Sequence, residues 1–161
     1  MKKVAFLAVS VVVVAFIVSA MGGVAFAGNT STLTVNATVK GTCEFNTASS
    51  ILQFTLDPSS SADAVATVAP TFWCTKGTTV TTPIATDTGL HYSGTSKQMM
   101  SAANISEFIP YTIDLAPAST TGAGKSTPIK LTITGTVLNS NYINALAASD
   151  YSDTVVITIA P

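Results

Sequence analysis

Cys43 and Cys74 are the only cysteines of this 161-residue chain, and His91 is its only histidine. Two distant thiols and one imidazole are too few for a zinc site, which takes four ligands, or three and a water. In an exported chain an even pair of cysteines reads as one disulfide. Its partners stand 31 residues apart, and closing such a loop contributes about 3–4 kcal/mol through chain entropy. Nucleophilic catalysis is poorly supplied. Ser93 and Asp87 stand near His91 along the chain but in no triad spacing, and no G-x-S-x-G turn occurs. The eight acids are scattered singly, Asp150 and Asp153 being the closest pair near a strand start, so no two facing carboxylates for glycoside hydrolysis are nominated. Gly124-Lys125-Ser126 imitates the end of a phosphate loop, but Ser119 stands where its first glycine belongs. No catalytic, cofactor-binding or metal-binding residue is expected, and no small-molecule substrate.

The composition narrows the class further. All seven cations are lysines, against eight Asp and Glu, for a net charge of −1. A nucleic-acid binder would carry a basic stripe, usually with arginines, so that partner is excluded. With 47% hydrophobic and 9% charged residues, disorder is excluded as well. Met1-Lys2-Lys3, an apolar run from Val4 to Val18 broken only by Ser10, and Ala25-Phe26-Ala27 are the three parts of a secretory signal peptide. A retained membrane helix is the competing reading, because Val4 to Ala27 is just long enough to span a bilayer. Gly22-Gly23 and the A-x-A end favour cleavage after Ala27. Removing 27 of the 161 residues leaves 134, a single domain of ordinary size.

The elements that would position these residues are strands. Beyond Ala27 the chain carries 26 threonines and 15 serines, with many valines and isoleucines. These β-branched residues suit a pleated, half-buried surface. Leu33, Val35, Ala37 and Val39 alternate with polar residues, and Cys43 and Phe45 keep the parity across Gly41. Further strands are expected over residues 51–56, 64–74 with a bend or an edge at Pro70, 80–86 broken at Pro83, 107–115, 129–137 and 154–159. One or two helical turns are expected around residues 141–148. Seven or eight short strands with turn residues between them predict an all-β sandwich.

The two ends are the informative places. Val155, Ile157 and Ile159 share one face of the last strand, two residues from the end of the sequence, which leaves little chain to cover that edge. The first alternating segment can pack in its own sheet or be lent to another molecule, where it would add a strand to an exposed edge. Alternation alone favours the ordinary edge strand.

The chain resembles the spore coat protein U domain family, which includes subunits of archaic chaperone–usher pili. The resemblance rests on Leu33-Thr34-Val35-Asn36-Ala37-Thr38-Val39-Lys40-Gly41-Thr42-Cys43 and on Phe72-Trp73-Cys74-Thr75. It continues with Asp87-Thr88-Gly89, Phe108 to Asp114, and Asp150-Tyr151-Ser152-Asp153-Thr154-Val155-Val156-Ile157-Thr158-Ile159. It implies an incomplete immunoglobulin-like sandwich lacking its last strand. An N-terminal donor extension would span residues 28–40 and the pilin-like domain residues 41–161. Donor residues would be Leu33, Val35, Ala37 and Val39, and the acceptor groove would be lined partly by Val155, Ile157 and Ile159. The implied partners are a periplasmic chaperone, an outer-membrane usher and identical or related subunits joined head to tail. The implied role is a structural subunit of a surface pilus, in adhesion or biofilm formation. A secreted coat or matrix protein that fills its own gap, and an exported carbohydrate-binding or enzymatic sandwich, are the rival readings.

Overall fold

The computed structural model describes residues 28–80 and 84–161. The expected signal peptide, residues 1–27, and the middle of the expected 80–86 strand lie outside the described residues. The body runs from Val39 to Pro161, and residues 28–38 belong to a separate unit.

The body is an all-β sandwich of curled antiparallel sheets, organised by a pair of strands that change layer together. β2 (Ala64–Val68) and β3 (Thr71–Cys74) are one run interrupted at Pro70, while β7 (Ile129–Lys130) and β8 (Thr132–Val137) are one run interrupted at Leu131. Pro70 has no N–H for a ladder, so pairing breaks there. Its carbonyl instead accepts from the Leu131 N–H at 2.9 Å. Strands that switch sheets at such a bend make the corners of a sandwich.

On one side of the corner β3 lies between β1 (Cys43–Phe45) and β7. On the other side β2 and β8 begin a five-stranded sheet, continued by β6 (Phe108–Ala116), β5 (Lys97–Ser101) and β9 (Tyr151–Ser152). A third, two-stranded sheet pairs β4 (Ala85–Thr86) with β10 (Ile157–Thr158). Helix α1 (Asn139–Tyr142) is one turn, in place of the one or two turns expected slightly further on. Ile109, Tyr111, Ile113 and Leu115 of β6, and Ile133, Gly135 and Val137 of β8, alternate inward.

Two apolar clusters fill the body. Phe72, Cys74, Val80, Ile84, Leu131 and Ile133 form one, against which the Cys43–Cys74 disulfide and Phe45 pack. Ile109, Tyr111, Val137 and Tyr142 form the other, and Ile113 touches both. The cysteines lie opposite each other in the β1–β3 register, so the expected bridge is present.

The expected 154–159 strand forms a ladder only at Ile157–Thr158, and the described part of the 80–86 strand only at Ala85–Thr86. Two further segments differ from the sequence expectation. Strand β5, Lys-Gln-Met-Met-Ser, has no β-branched residue and no alternation, yet it holds an interior place between β6 and β9. Neighbours on both sides, not propensity, make it a strand. Residues 51–56 alternate between exposed and half-buried as a strand should, but pair with no ladder among the described residues.

Candidate functional site

A cleft of about 990 Å³ opens on the inner face of the five-stranded sheet. Its floor is apolar: Ile109, Tyr111 and Ile113 from β6 and Ile133 from β8 line it, together with Phe45, Val68 and Tyr142. Two extended stretches border it, residues 47–56 on one side and residues 153–157 on the other.

The second wall is firmly built on its outer side. The Val156 carbonyl accepts from the Asp87 N–H at 3.0 Å, and the Thr154 carbonyl accepts from the Leu90 N–H at 3.2 Å. The Val156 N–H donates to Asp87 Oδ1 at 3.0 Å, and Ile157 pairs with Thr86 in β4. Val155 lies between these residues, and among the described residues its N–H and C=O make no hydrogen bond. Successive strand residues direct their backbone groups to opposite edges, so Val155 directs its pair toward the cleft.

Carboxylates fix this wall in place. The Asp153 side chain is 2% exposed. Its Oδ1 accepts from the backbone N–H groups of Leu90 at 2.9 Å, Thr154 at 2.8 Å and His91 at 3.2 Å. Its Oδ2 accepts from the Tyr111 hydroxyl at 2.6 Å. Burial, and then the Asp153 carboxylate, push the Tyr111 phenol well above the ordinary tyrosine range. Three residues earlier, Asp150 accepts from the Ala103 N–H at 2.6 Å and the Ser101 hydroxyl at 2.9 Å. Those two bonds, the backbone one first, hold its carboxyl below the usual range.

The first wall is different. Among the described residues no backbone–backbone hydrogen bond involves residues 47–56. Leu52, Phe54 and Leu56 turn inward while Ile51, Gln53 and Thr55 are exposed. Phe54 lies with its ring centroid 6.4 Å from that of Tyr111. Side-chain packing alone holds this wall.

The expected acceptor residues divide. Val155 and Ile157 line the cleft, whereas Ile159 packs against the cluster around Phe72 and Cys74. Leu52, Phe54, Leu56 and Tyr111 line it as well. Their alternation was the available signal for that role, and it served in the sequence only to define strands. Nothing in the sequence marks Asp153 as a hub.

The expected donor residues lie in an extended stretch without strand pairing among the described residues. Leu33 is 84% exposed, Val35 80% and Val39 80%, and Ala37 is exposed too.

Among the described residues the remaining candidates are not brought together as a catalytic constellation. His91 is half-buried, and its Nδ1 stands 3.4 Å from Asp153 Oδ1 without a hydrogen bond. The Ser93 hydroxyl meets Thr95 and Ser96 instead. Gly122 and Gly124 bond to the β3 end of the chain, and Lys125 lies 5.1 Å over the Trp73 ring, an arrangement of a capping loop. Among the described residues no three His, Cys, Asp or Glu are grouped to hold a metal, and no helix is long and apolar enough to cross a membrane.

Comparison with curated proteins gives no match. The family model of the Spore Coat Protein U domain matches residues 29–158, a span that holds the cleft, both its walls, the disulfide and the exposed alternating segment. The chain belongs to the Spore Coat Protein U domain family.

Proposed function

We propose that this protein is a structural subunit of a cell-surface fibre that polymerises by donor-strand exchange after chaperone–usher secretion, serving adhesion or biofilm formation. The family is one of structural coat and pilus domains. The observation that carries the reading is the cleft itself. It has an apolar floor, and both walls present backbone groups without partners, at Val155 and along residues 47–56. An incoming strand would satisfy both edges and place every second side chain on the floor.

The exposed segment has the matching chemistry. Leu33, Val35, Ala37 and Val39 repeat every second residue, and from Leu33 to Val39 they span about 20 Å at ~3.3 Å per residue. Burying the leucine and each valine contributes about 1.5–3 kcal/mol apiece. Donation from one molecule into the next does not close on itself, so it builds a filament.

The test is a gel of surface material sheared from the source cells, run with and without boiling. Wild type gives a ladder of multiples that collapses to one band on boiling. Val35→Asp places a charge on the apolar floor and abolishes the ladder while the domain still folds with its chaperone. A normal ladder from Val35→Asp ends the proposal. A single band from wild type in both lanes replaces it with the self-complementing coat protein.

A further inference from the structure

We propose that Gly135 is the positioning residue of the cleft's unbonded wall: its bare backbone is the notch into which Leu52 and Phe54 seat, and this seat holds residues 51–56 where an incoming strand can bond to them. The inference rests on the strand-acceptor reading above and assigns it a determinant on β8, outside both walls.

Gly135 lies inward in the middle of β8, paired with Ala66 of β2 on one side and Ile113 of β6 on the other. A Cβ added there would stand 2.5 Å from Leu52 Cδ2, 2.5 Å from Phe54 Cζ and 3.2 Å from Phe54 Cε1. Two of the wall's three inward side chains, Leu52 and Phe54, therefore touch the sheet at one backbone position. All the other inward positions of β8 carry a β-branched side chain, Ile133 and Val137.

The relative stiffness of the two parties decides which one moves if that notch is filled. β8 is laddered on both edges, over five residue pairs to β2 and five to β6. Among the described residues, 47–56 have no backbone–backbone hydrogen bond to resist displacement, and the one bond to their backbone is local, from Gln53 Nε2 to the Phe54 carbonyl at 3.2 Å. The atoms in the way of an added methyl are the ends of the Leu52 and Phe54 side chains, so it unseats those two side chains, on whose packing the wall depends, and leaves the sheet in place. Because the wall's free N–H and C=O groups await a partner, its displacement removes one of the two edges on which an incoming strand would be held.

The experiment titrates a fluorescein-labelled synthetic peptide of residues 31–41 into the full exported protein, read by anisotropy. Amide hydrogen exchange of residues 51–56 is followed with and without peptide. In wild type the peptide binds and protects the amides of the wall. Gly135→Ala keeps the disulfide and the native circular dichroism but weakens peptide binding by about tenfold or more, the scale of a modest overpacking penalty, and the wall gains no protection. Adding Phe54→Ala to Gly135→Ala removes the Phe54 half of the collision, leaves the contact with Leu52, and restores part of the lost affinity. Wild-type affinity and wild-type wall protection in Gly135→Ala overturn the inference while leaving the strand-acceptor reading intact. If Gly135→Ala does not fold, Leu52→Ala/Phe54→Ala with Gly135 retained empties the notch from the other side; unchanged protection of the wall on peptide addition then overturns it. A wild-type protein that binds no peptide removes the acceptor reading, and this inference with it.

Discussion

Tyr111 donates its phenolic proton to Asp153 Oδ2 across 2.6 Å, tying the floor of the cleft to the wall that stands over it. Oδ1 of the same carboxylate already receives three backbone N–H groups, so Tyr111 is the one donor to Oδ2 among the described residues. The upward push on the phenol keeps it protonated, and donating, throughout the neutral range.

Tyr111→Phe leaves one oxygen of a buried carboxylate without its donor. A hydrogen bond to a charged group contributes about 1.5–3 kcal/mol. Urea unfolding should show a loss on that scale with an unchanged slope. A loss below about 0.5 kcal/mol would mean that Asp153 is held adequately by its backbone donors alone.

Asp150 carries an acid-dependent share of stability. Its folded pKa is lowered by the Ala103 N–H and the Ser101 hydroxyl. A lowered folded value means that the native state favours the charged form. The contribution is therefore complete above the unfolded value, about 3.9, and is lost as the pH falls through the folded one. Thermal melts of wild type and Asp150→Asn should differ at pH 7 and converge in strong acid. A difference that stays constant down to pH 2 would assign the effect to packing instead of charge.

Gly122 has no room for a side chain. A Cβ there would run into the Thr75 carbonyl oxygen and come within 2.6 Å of the Cys74 carbonyl oxygen and 2.7 Å of the Cys74 Cβ. All three are backbone or disulfide-anchored atoms, which cannot swing aside. Gly122→Ala should cost about 1–3 kcal/mol through overpacking. The same substitution at Gly124, whose added Cβ would meet nothing within 4 Å, tests a left-handed φ of 104° without the collision. Comparing the two melts separates steric conflict from backbone strain.

Removing the disulfide as Cys43→Ala/Cys74→Ala should lower stability by about 3–4 kcal/mol, measured by urea unfolding under oxidising conditions. Adding reductant should bring wild type toward the variant and leave the variant unmoved. A variant equally sensitive to reductant would show that the reagent acts elsewhere.

The sheets were legible where composition and burial agree. The 129–137 run and the 107–115 run alternate cleanly because β8 and β6 present one face to the core and one outward. The Pro70 break was legible because a missing N–H is a local property. β5 was not, because its five residues become a strand through neighbours distant in sequence. Of the cleft, parity puts Val155 and Ile157 on one face of the last strand, and only the family resemblance implies a groove beside them. The Asp153 hub did not, since its donors, Leu90, His91 and Tyr111, are brought to it across 42 to 63 residues. A lone aspartate carries no trace of such partners. Gly135 was equally silent, because the sequence cannot say what faces a glycine.

The Cys43–Cys74 bridge has a mechanical consequence. Pull on the chain before Cys43 and after Cys74, and the force crosses through the sulfur–sulfur bond rather than along the backbone between them. The 31-residue separation thus encloses a loop that bears no axial tension while the bond holds. Residues 47–56 lie inside that loop. The wall of the cleft that has no backbone ladder to resist stretching is the one that covalent topology takes out of the load path.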